Sequence, residues 1–556
     1  MLNHRISDPQ IRFQLFKACI LPKIAHLELS GYLYCQPSGT EQSSFATAST
    51  NSIENFLTTL IFGEGSSRRL SNTSKLMAIQ PVGSGGLGLR SSTDSQLGRF
   101  MVPAIRSIRY AMDGIPFPRE STDEDHPATT VDLPVSIQQV FHKWQHANES
   151  FFSIFRRGGG YLQAQPQFAD IRPEDFMNQL VGQISITSLS RKSYKHLVSL
   201  RLKNHVQSMS LVQQQAIQSL QNPLSTLPIA SMTRRIPSHR SLPADFRTLI
   251  RFALRCQLFD GSTPCRCFCD RADFDITGNH CFSCSSIHKT VAHNIIRDAI
   301  SVILKAIVPY IEDVGDSTAE VCREKTGLTP SASRLRPADV SVHYGDTKTN
   351  SFSALLIDVT TIGFAPSPHN TDVLQPTTFY VNQHHIAKET DKFRGGRGTE
   401  GISGEQVIAT INNQNFQFVP FTVDPGGTIG PCGVHLLFGP TKRYPKELAS
   451  TRLNHTNIHA AGHEALCRTL GKDHLSGLLR KADRGWIAHH GPSKWFRPYY
   501  QTTMPSTWAK QYLGLAFTRA RLQVLGQVKK RLLSFGRNHD IANLSPTDLN
   551  VTSPDP

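Results

Sequence analysis

The sequence contains no apolar run that approaches the roughly 20 residues needed to cross a bilayer. Its first eight residues, Met1 to Asp8, also lack the apolar segment of a secretory signal peptide. Eleven cysteines in 556 residues are too few to build a disulfide scaffold. Together these absences predict an intracellular protein in solution, with reduced thiols and no membrane partner.

Acidic residues are missing from the whole stretch between Arg484 and His539, although lysine and arginine recur through it. The chain also carries a formal net charge of +16, which favours a polyanionic partner. Because basic groups neutralise phosphates and aromatic rings stack on unpaired bases, this tail predicts nucleic-acid contact. The basic residues expected to make that contact are Arg519, Arg521, Lys529, Lys530 and Arg531. The interleaved aromatic residues are Trp486, Trp495, Phe496, Tyr499, Tyr500, Trp508 and Tyr512. The alternative is a basic helical tail whose aromatic residues are core.

Five of the cysteines lie in the segment from Cys265 to Cys284, a density that indicates metal ligands rather than disulfides. Thiolate and imidazole groups are the ligands of tetrahedral zinc, and four of them leave no open position for catalysis. We therefore expect a structural Zn²⁺ whose simplest ligand set is Cys267, Cys269, His280 and Cys284. The alternatives that stay open are Cys265 in place of one cysteine, and competition from His288 or His293.

Hydrophobic periodicity divides the chain into regions of different character. Residues 1–115 are predicted to be mostly helical, with one helix from Ile53 to Phe62 ended by Gly63 and another stretch broken at Pro22. Residues 116–134 are rich in proline, serine and acidic residues and predict a linker. Residues 135–255 have helical patches whose role the sequence does not indicate.

The region 291–445 predicts a compact α/β domain, because a helical pattern is followed by strand patterns. Apolar residues between Val291 and Val308 fit one helix face. Strand-like runs follow at 338–343, 352–361 and 416–423, and a helix is expected from Tyr380 to Phe393 before the last strand. Residues 446–556 form the basic C-terminal region.

Two aspartates, Asp339 and Asp358, occur in two of the predicted strands. A carboxylate pair on adjacent strands can hold Mg²⁺, which prefers oxygen ligands, stabilises charge on a phosphate and acidifies a bound water. Lys388 and Lys392 lie four residues apart on the predicted helix and share one of its faces. These are the parts of a metal-dependent DNA nuclease. The alternative is that the aspartates are turn residues and the lysines form a solvated face.

Several segments together resemble the C-terminal part of non-LTR retrotransposon polyproteins that carry a restriction-like endonuclease, and they occur in that family's order. The part after the polymerase thumb is matched by Gly85–Ser91. The zinc knuckle is matched by Cys267-x-Cys269, His280-x3-Cys284 and His293-x3-Arg297-Asp298, and the acidic strands are matched by Arg334–Val340 and Ile357–Thr360. The last matching segments are Lys392-Phe393 and Phe418–Phe421 with Gly426-Gly427.

The resemblance implies an α+β multidomain protein with a thumb-like helical N-terminal region, a zinc knuckle at 256–290, a PD-(D/E)xK nuclease core and a basic helical tail. It implies that Asp339 and Asp358 bind catalytic Mg²⁺ and that Glu320 or Glu324 supplies a third acidic group. Because Thr360 stands where the simplest motif has lysine, the lysine would be Lys392 or Lys388.

No polymerase motif of the Tyr-x-Asp-Asp type occurs in the chain, so we do not expect it to reverse transcribe. The resemblance implies an endonuclease that nicks target DNA in the nucleus and exposes a 3′ end for priming. DNA is the expected partner, with the RNA of the element as a second one. The competing hypothesis is a zinc-dependent nucleic-acid-binding protein without catalysis.

Overall fold

The structure, a computed structural model, forms two compact units, Met1–Ser208 and Met209–Pro556. It describes residues 6–29, 44–92, 186–222, 224–225, 229, 241–259, 267, 269, 277–284, 287, 290–311, 319–324, 338–346, 351–364, 416–439, 477–491 and 504–543. The division between the units lies inside the predicted helical segment 135–255, and the predicted linker 116–134 lies outside the described residues. Within those ranges, no helix combines the length and the apolar character that a bilayer crossing requires.

The described part of the first unit is helical. Its helices are α1 (Pro9–Leu15), α2 (Leu21–Leu29), α3 (Ser44–Phe62), α4 (Asn72–Ile79) and α5 (Ile186–Val206). The predicted end of a helix at Gly63 is confirmed, since this residue follows α3 with φ of +93°. The predicted break at Pro22 is wrong, because α2 continues through it after a π-helical segment, Phe16–Ile20. Such a wider turn suits the residues before a proline, which has no N–H to donate to the preceding turn.

The glycine-rich segment after α4 forms a tight structural turn. A Cβ atom on Gly86 would lie 2.0 Å from the backbone oxygen of Gln80, so only glycine fits there. Leu87 and Leu89 are fully buried beside it. The side-chain amide of Gln80 donates to the backbone oxygen of Val198 at 2.8 Å, which links the start of the turn to α5.

In the part of the second unit that the structure describes, helices accompany a four-stranded sheet, which confirms the mixed α and β character predicted for the chain. Its helices are α6 (Leu211–Leu220), α7 (Pro243–Ala253), α8 (Asn279–Ser283), α9 (Thr290–Ile307), α10 (Pro431–Phe438), α11 (Leu478–His490) and α12 (Pro505–Asn543). Its strands are β1 (Glu320–Arg323), β2 (Val340–Asp346), β3 (Ser351–Thr361) and β4 (Phe416–Val423).

The sheet has the order β1-β2-β3-β4, with the first two pairings antiparallel and the last one parallel. Strand β3 is apolar and buried at Leu355, Leu356 and Ile357, as expected for a strand that is covered on both faces. Helix α9 packs on β1, β2 and β3, and α12 packs on α9. The apolar face of α9 predicted from periodicity is the one that is buried.

Candidate functional site

Asp339 and Asp358 come together where β2 begins and β3 approaches its end. Val340 pairs with Ile357 in the register of these strands, so each aspartate lies one step beyond that pair. The amide of Asp339 donates to the oxygen of Ile357 at 3.1 Å, and the Oδ2 atom of Asp339 accepts from the amide of Val359 at 2.7 Å. The carboxylate of Asp339 is thereby bonded to the backbone immediately after Asp358.

The two carboxylates differ in exposure but share one neighbour. The residue Asp358 is 6% exposed, whereas the side chain of Asp339 is 19% exposed. His293, in the first turn of α9, places Nε2 3.4 Å from the Oδ1 atom of Asp339. This contact raises the pKa of His293; burial and the charge of Arg297 oppose the rise, and the charge of Asp358 adds to it.

A series of ion pairs between α9 and the end of β1 lies next to this pair of aspartates. Arg297, one turn after His293, binds Glu324 and also contacts Asp298 at 2.9 Å. Arg323 contacts the same oxygen of Asp298 at 3.1 Å. The amide of Glu324 donates to the backbone oxygen of Asp339 at 2.9 Å.

Of the two candidates for a third acidic group, the structure places Glu324 beside Asp339. Glu320 lies at the other end of β1, where it pairs with His343. Glu324 adopts a positive φ of 46°, which is unusual for a residue other than glycine. Its carboxylate is engaged by Arg297. Glu324 therefore borders the site through an arginine.

This arrangement can attract a divalent cation. Carboxylates withdrawn from water are costly unless a positive charge or hydrogen bonds compensate them. Arg297, the arginine of α9, is bound to the carboxylates of Glu324 and Asp298. Oxygen ligands of two aspartates are the donor set that Mg²⁺ prefers. Asp339 and Asp358 thus bring two such donors to one place in the structure.

A second cluster can hold a metal ion, and it consists of the four residues of the simplest predicted ligand set. The ligand atoms of Cys267, Cys269, His280 and Cys284 all lie within 4.8 Å of one another. The Sγ atoms of Cys267 and Cys284 are 3.3 Å apart, and Sγ of Cys269 lies 3.2 Å from Nε2 of His280. Ligand atoms of a tetrahedral zinc are separated by about 3.6 to 3.8 Å, so the cluster is close to that geometry.

The chemistry of the cysteines also fits a cation. Burial raises the pKa of the Cys267 thiol to about 12, helped by Cys284 and opposed by a backbone hydrogen bond at Cys269. A bound cation would supply the charge that such a thiolate needs. Among the alternative ligands, His293 contacts Asp339 instead, and Cys265 and His288 lie outside the described residues.

The basic tail places its predicted contact residues on different sides of α12. Arg519, Lys529 and Lys530 are exposed, and Arg531 is half-buried. Arg521 does not fit the predicted role in nucleic-acid contact, because it is 3% exposed. Trp486 and Trp508 are buried as well and belong to the core, while Tyr512 is half-buried.

Arg521 instead belongs to a buried polar network that the sequence pattern does not reveal. Its guanidinium donates to the oxygens of Pro425 and Ser225, in the latter case at 3.0 Å. Asp424, immediately after β4, accepts from the hydroxyl of Ser219 at 2.6 Å and from the amide of Thr428 at 2.8 Å. The network joins α6, the turn after β4 and α12.

The same network explains the glycine pair in the turn after β4. A Cβ atom on Gly426 would lie 2.0 Å from the hydroxyl oxygen of Ser219, so the two segments meet only because that residue is glycine. A signal for this contact exists in the sequence as Asp424 before Gly426-Gly427, but its partner Ser219 is 205 residues away.

The structure therefore brings Asp339 next to Asp358 and, at a separate place, gathers the four residues of the metal cluster. Lys388, Lys392, the helix predicted from Tyr380 to Phe393 and the aromatic residues Trp495, Phe496, Tyr499 and Tyr500 lie outside the described residues. No family model matches this chain, and no curated protein sequence matches it.

Proposed function

We propose that the chain is a Mg²⁺-dependent DNA endonuclease of the PD-(D/E)xK type, derived from a non-LTR retrotransposon. The observation that carries the proposal is the placement of Asp339 beside Asp358 at one end of the two central strands of a mixed sheet covered by α9. The mixed sheet packed against α9 supports the proposal of a PD-(D/E)xK nuclease core. In this proposal the nuclease core cuts DNA and the basic helical tail contacts it.

In this function Asp339 and Asp358 bind the cation between them, and the backbone of Val359 holds the carboxylate of Asp339 in place. Bound there, Mg²⁺ would stabilise charge on the phosphate and acidify a water molecule. We assign the orientation of that water to Lys392 or Lys388. Thr360 carries no charge and cannot replace the lysine that the simplest motif has at its position.

The remaining assignments follow from the chemistry of the other two sites. Cys267, Cys269, His280 and Cys284 hold a structural Zn²⁺, since four protein ligands leave no open position. Arg519, Lys529, Lys530 and Arg531 contact DNA, and the element's RNA is a second partner. The enzyme nicks nuclear DNA for primed reverse transcription and has no polymerase site in this chain.

The test is a nicking assay with purified full-length protein, supercoiled plasmid and Mg²⁺. Asp339→Ala and Asp358→Ala should each lower the nicking rate at least about 100-fold, since loss of a cation ligand costs no less than loss of the residues supporting it. Circular dichroism and zinc content should match those of the wild type. A double variant that still nicks would refute the assignment of these aspartates.

The alternative function is a zinc-dependent nucleic-acid-binding protein without catalysis, and the geometry of the metal cluster supports it equally well. Gel-shift binding of the same plasmid distinguishes the two functions. DNA binding by the Asp358→Ala variant without nicking supports the endonuclease, provided that the wild type nicks. DNA binding by the wild type without nicking, across Mg²⁺ and Mn²⁺, supports the binding protein.

A further inference from the structure

His293 contacts the candidate cation site from α9, although its sequence neighbourhood suggests a competing zinc ligand. We propose that His293 is a positioning residue that fixes the carboxylate of Asp339 for cation binding. The proposal rests on the endonuclease function stated above and adds a residue to its site.

The carboxylate of Asp339 is held at both oxygens. His293 lies 3.4 Å from Oδ1, and the amide of Val359 donates to Oδ2 at 2.7 Å. An ionised carboxylate offers about four lone-pair sites, and these two contacts engage one on each oxygen. With both oxygens engaged, rotation about the Cβ–Cγ bond of Asp339 is restricted.

The helix that carries His293 is itself fixed against the sheet. Ala292 and Ile296, which flank His293 on α9, are buried, and α9 packs on three strands. The imidazole therefore approaches Asp339 from a rigid support. Residues that orient metal ligands are effective when packing fixes their own positions.

Arg297 does not compete for this role, because it is bound to Glu324 and Asp298. An arginine in contact with Asp339 would cancel the negative charge that a cation needs. An imidazole has a neutral form that still donates one N–H, whereas a guanidinium keeps its charge. The difference between the two residues, four apart on α9, explains why His293 is the one that meets Asp339.

The expected effect appears in the Mg²⁺ dependence of nicking rather than in DNA binding. His293→Ala should raise the half-saturating Mg²⁺ concentration by about 10-fold to 100-fold, the usual effect of losing a residue that orients a metal ligand. The KM for plasmid should stay unchanged. His293→Gln, whose amide can replace the Nε2 donor, should recover most of the affinity, and His489→Ala on α11 serves as the matched control.

A second measurement separates this inference from the proposed function. Mn²⁺ binding to the zinc-loaded full-length protein is followed by electron paramagnetic resonance, and the site is identified as the one lost in Asp358→Ala. Weaker Mn²⁺ binding by His293→Ala, with recovery in His293→Gln, supports the role of His293 even if the wild type does not nick. Unchanged Mn²⁺ and Mg²⁺ dependence in His293→Ala, or no such Mn²⁺ site in the wild type, overturns it.

Discussion

Single carboxylates at strand ends have different environments in this molecule. Asp339 is partly exposed and faces a histidine, whereas Asp424 is enclosed by hydroxyl and amide donors with a buried arginine nearby. A carboxylate open on one side can accept a cation, and one enclosed by protein donors holds segments together. For these two residues, the partners of each carboxylate therefore distinguish the proposed catalytic role of Asp339 from the structural role of Asp424.

The pH dependence of stability should report on Asp424. Burial raises its pKa to about 6 from 3.8, against hydrogen bonds from Ser219 and Thr428 and the charge of Arg521, which lower it. The folded protein thus binds this proton more tightly than the unfolded chain, so its contribution to stability is greatest below about pH 4 and is lost as the pH rises through 6. The loss should be about 3 kcal/mol at most.

This prediction is checked by urea unfolding of the wild type and of Asp424→Asn between pH 4 and 7. Arg521 keeps its charge in this range, so Asp424→Asn changes the free energy of unfolding by a similar amount at every pH. The informative quantity is therefore the difference between the two proteins in how steeply the free energy of unfolding changes with pH. The wild type should lose stability relative to Asp424→Asn as the pH rises. Parallel curves would show that Asp424 does not titrate in this window.

At the scale of elements, α12 has a buried face and an exposed face that carry different residues. Its buried face carries Phe517, Arg521 and Val524 against the rest of the unit, and its exposed face carries Arg519, Lys529 and Lys530. A helix of this kind presents charge to a partner while its packed side fixes its position. Two arginines only two positions apart on the helix are therefore expected to differ in effect.

Replacing Arg521 should destabilise the fold, and replacing Arg519 should not. Arg521→Ala removes the buried donors to Pro425 and Ser225 and leaves Asp424 without its arginine, at a cost of about 3 to 5 kcal/mol. Arg519→Ala, on the exposed face, should change stability by no more than about 0.5 kcal/mol. Denaturant unfolding followed by tryptophan fluorescence gives both values. Equal effects would contradict the separation of faces.

The metal cluster is connected to the sheet through α8. The ring of Phe282 packs on Phe252 at 5.4 Å and on Phe364, just after β3, at 5.6 Å between centroids. Gly363 lies close to α8, because a Cβ atom placed on it would be 3.0 Å from the Cβ atom of Ser283. Folding of the cluster is therefore coupled to the end of β3.

Removal of the metal should loosen this connection, because the free energy of binding at such a cluster is free energy of folding. Chelation, or Cys284→Ser, should speed amide hydrogen exchange in residues 277–284. Exchange in α11, which does not contain these ligands, provides the internal reference. Unchanged exchange near α8 in metal-free protein would argue against a metal at this cluster.

At the scale of the whole molecule, the net charge of +16 governs the expected response to salt. Binding of DNA should weaken linearly with the logarithm of salt concentration, since each neutralised phosphate releases a counterion. Lys529→Ala and Lys530→Ala should each reduce that slope by about 1. Lys305→Ala, an exposed lysine on α9, is the control, and fluorescence anisotropy is the measurement. If the tail variants leave the slope of DNA affinity against salt unchanged, α12 does not contact DNA.

Much of the second unit was predictable from sequence because its elements have strong periodicity. The strand at 416–423 is confirmed, and β3 extends from Ser351 to Thr361 against a prediction of 352–361. Strand β1 was missed, since two of its four residues are exposed, the other two are half-buried, and apolar and polar positions do not alternate. The ligand set of the metal cluster was predictable because its residues are close in sequence.

The sequence by itself determined the helix and strand patterns, the basic tail and the four residues of the metal cluster, all of which depend on neighbouring positions. Only the tertiary structure decided that His293 meets Asp339, that Arg521 is buried and that Ser219 binds Asp424. His293 and Asp339 are 46 positions apart in the sequence, and Ser219 and Asp424 are 205 positions apart. Arg521 is buried because its face of α12 packs against the rest of the unit. Packing selects them, because a residue's type shows which bonds it can make but not which partner the folded chain places within reach.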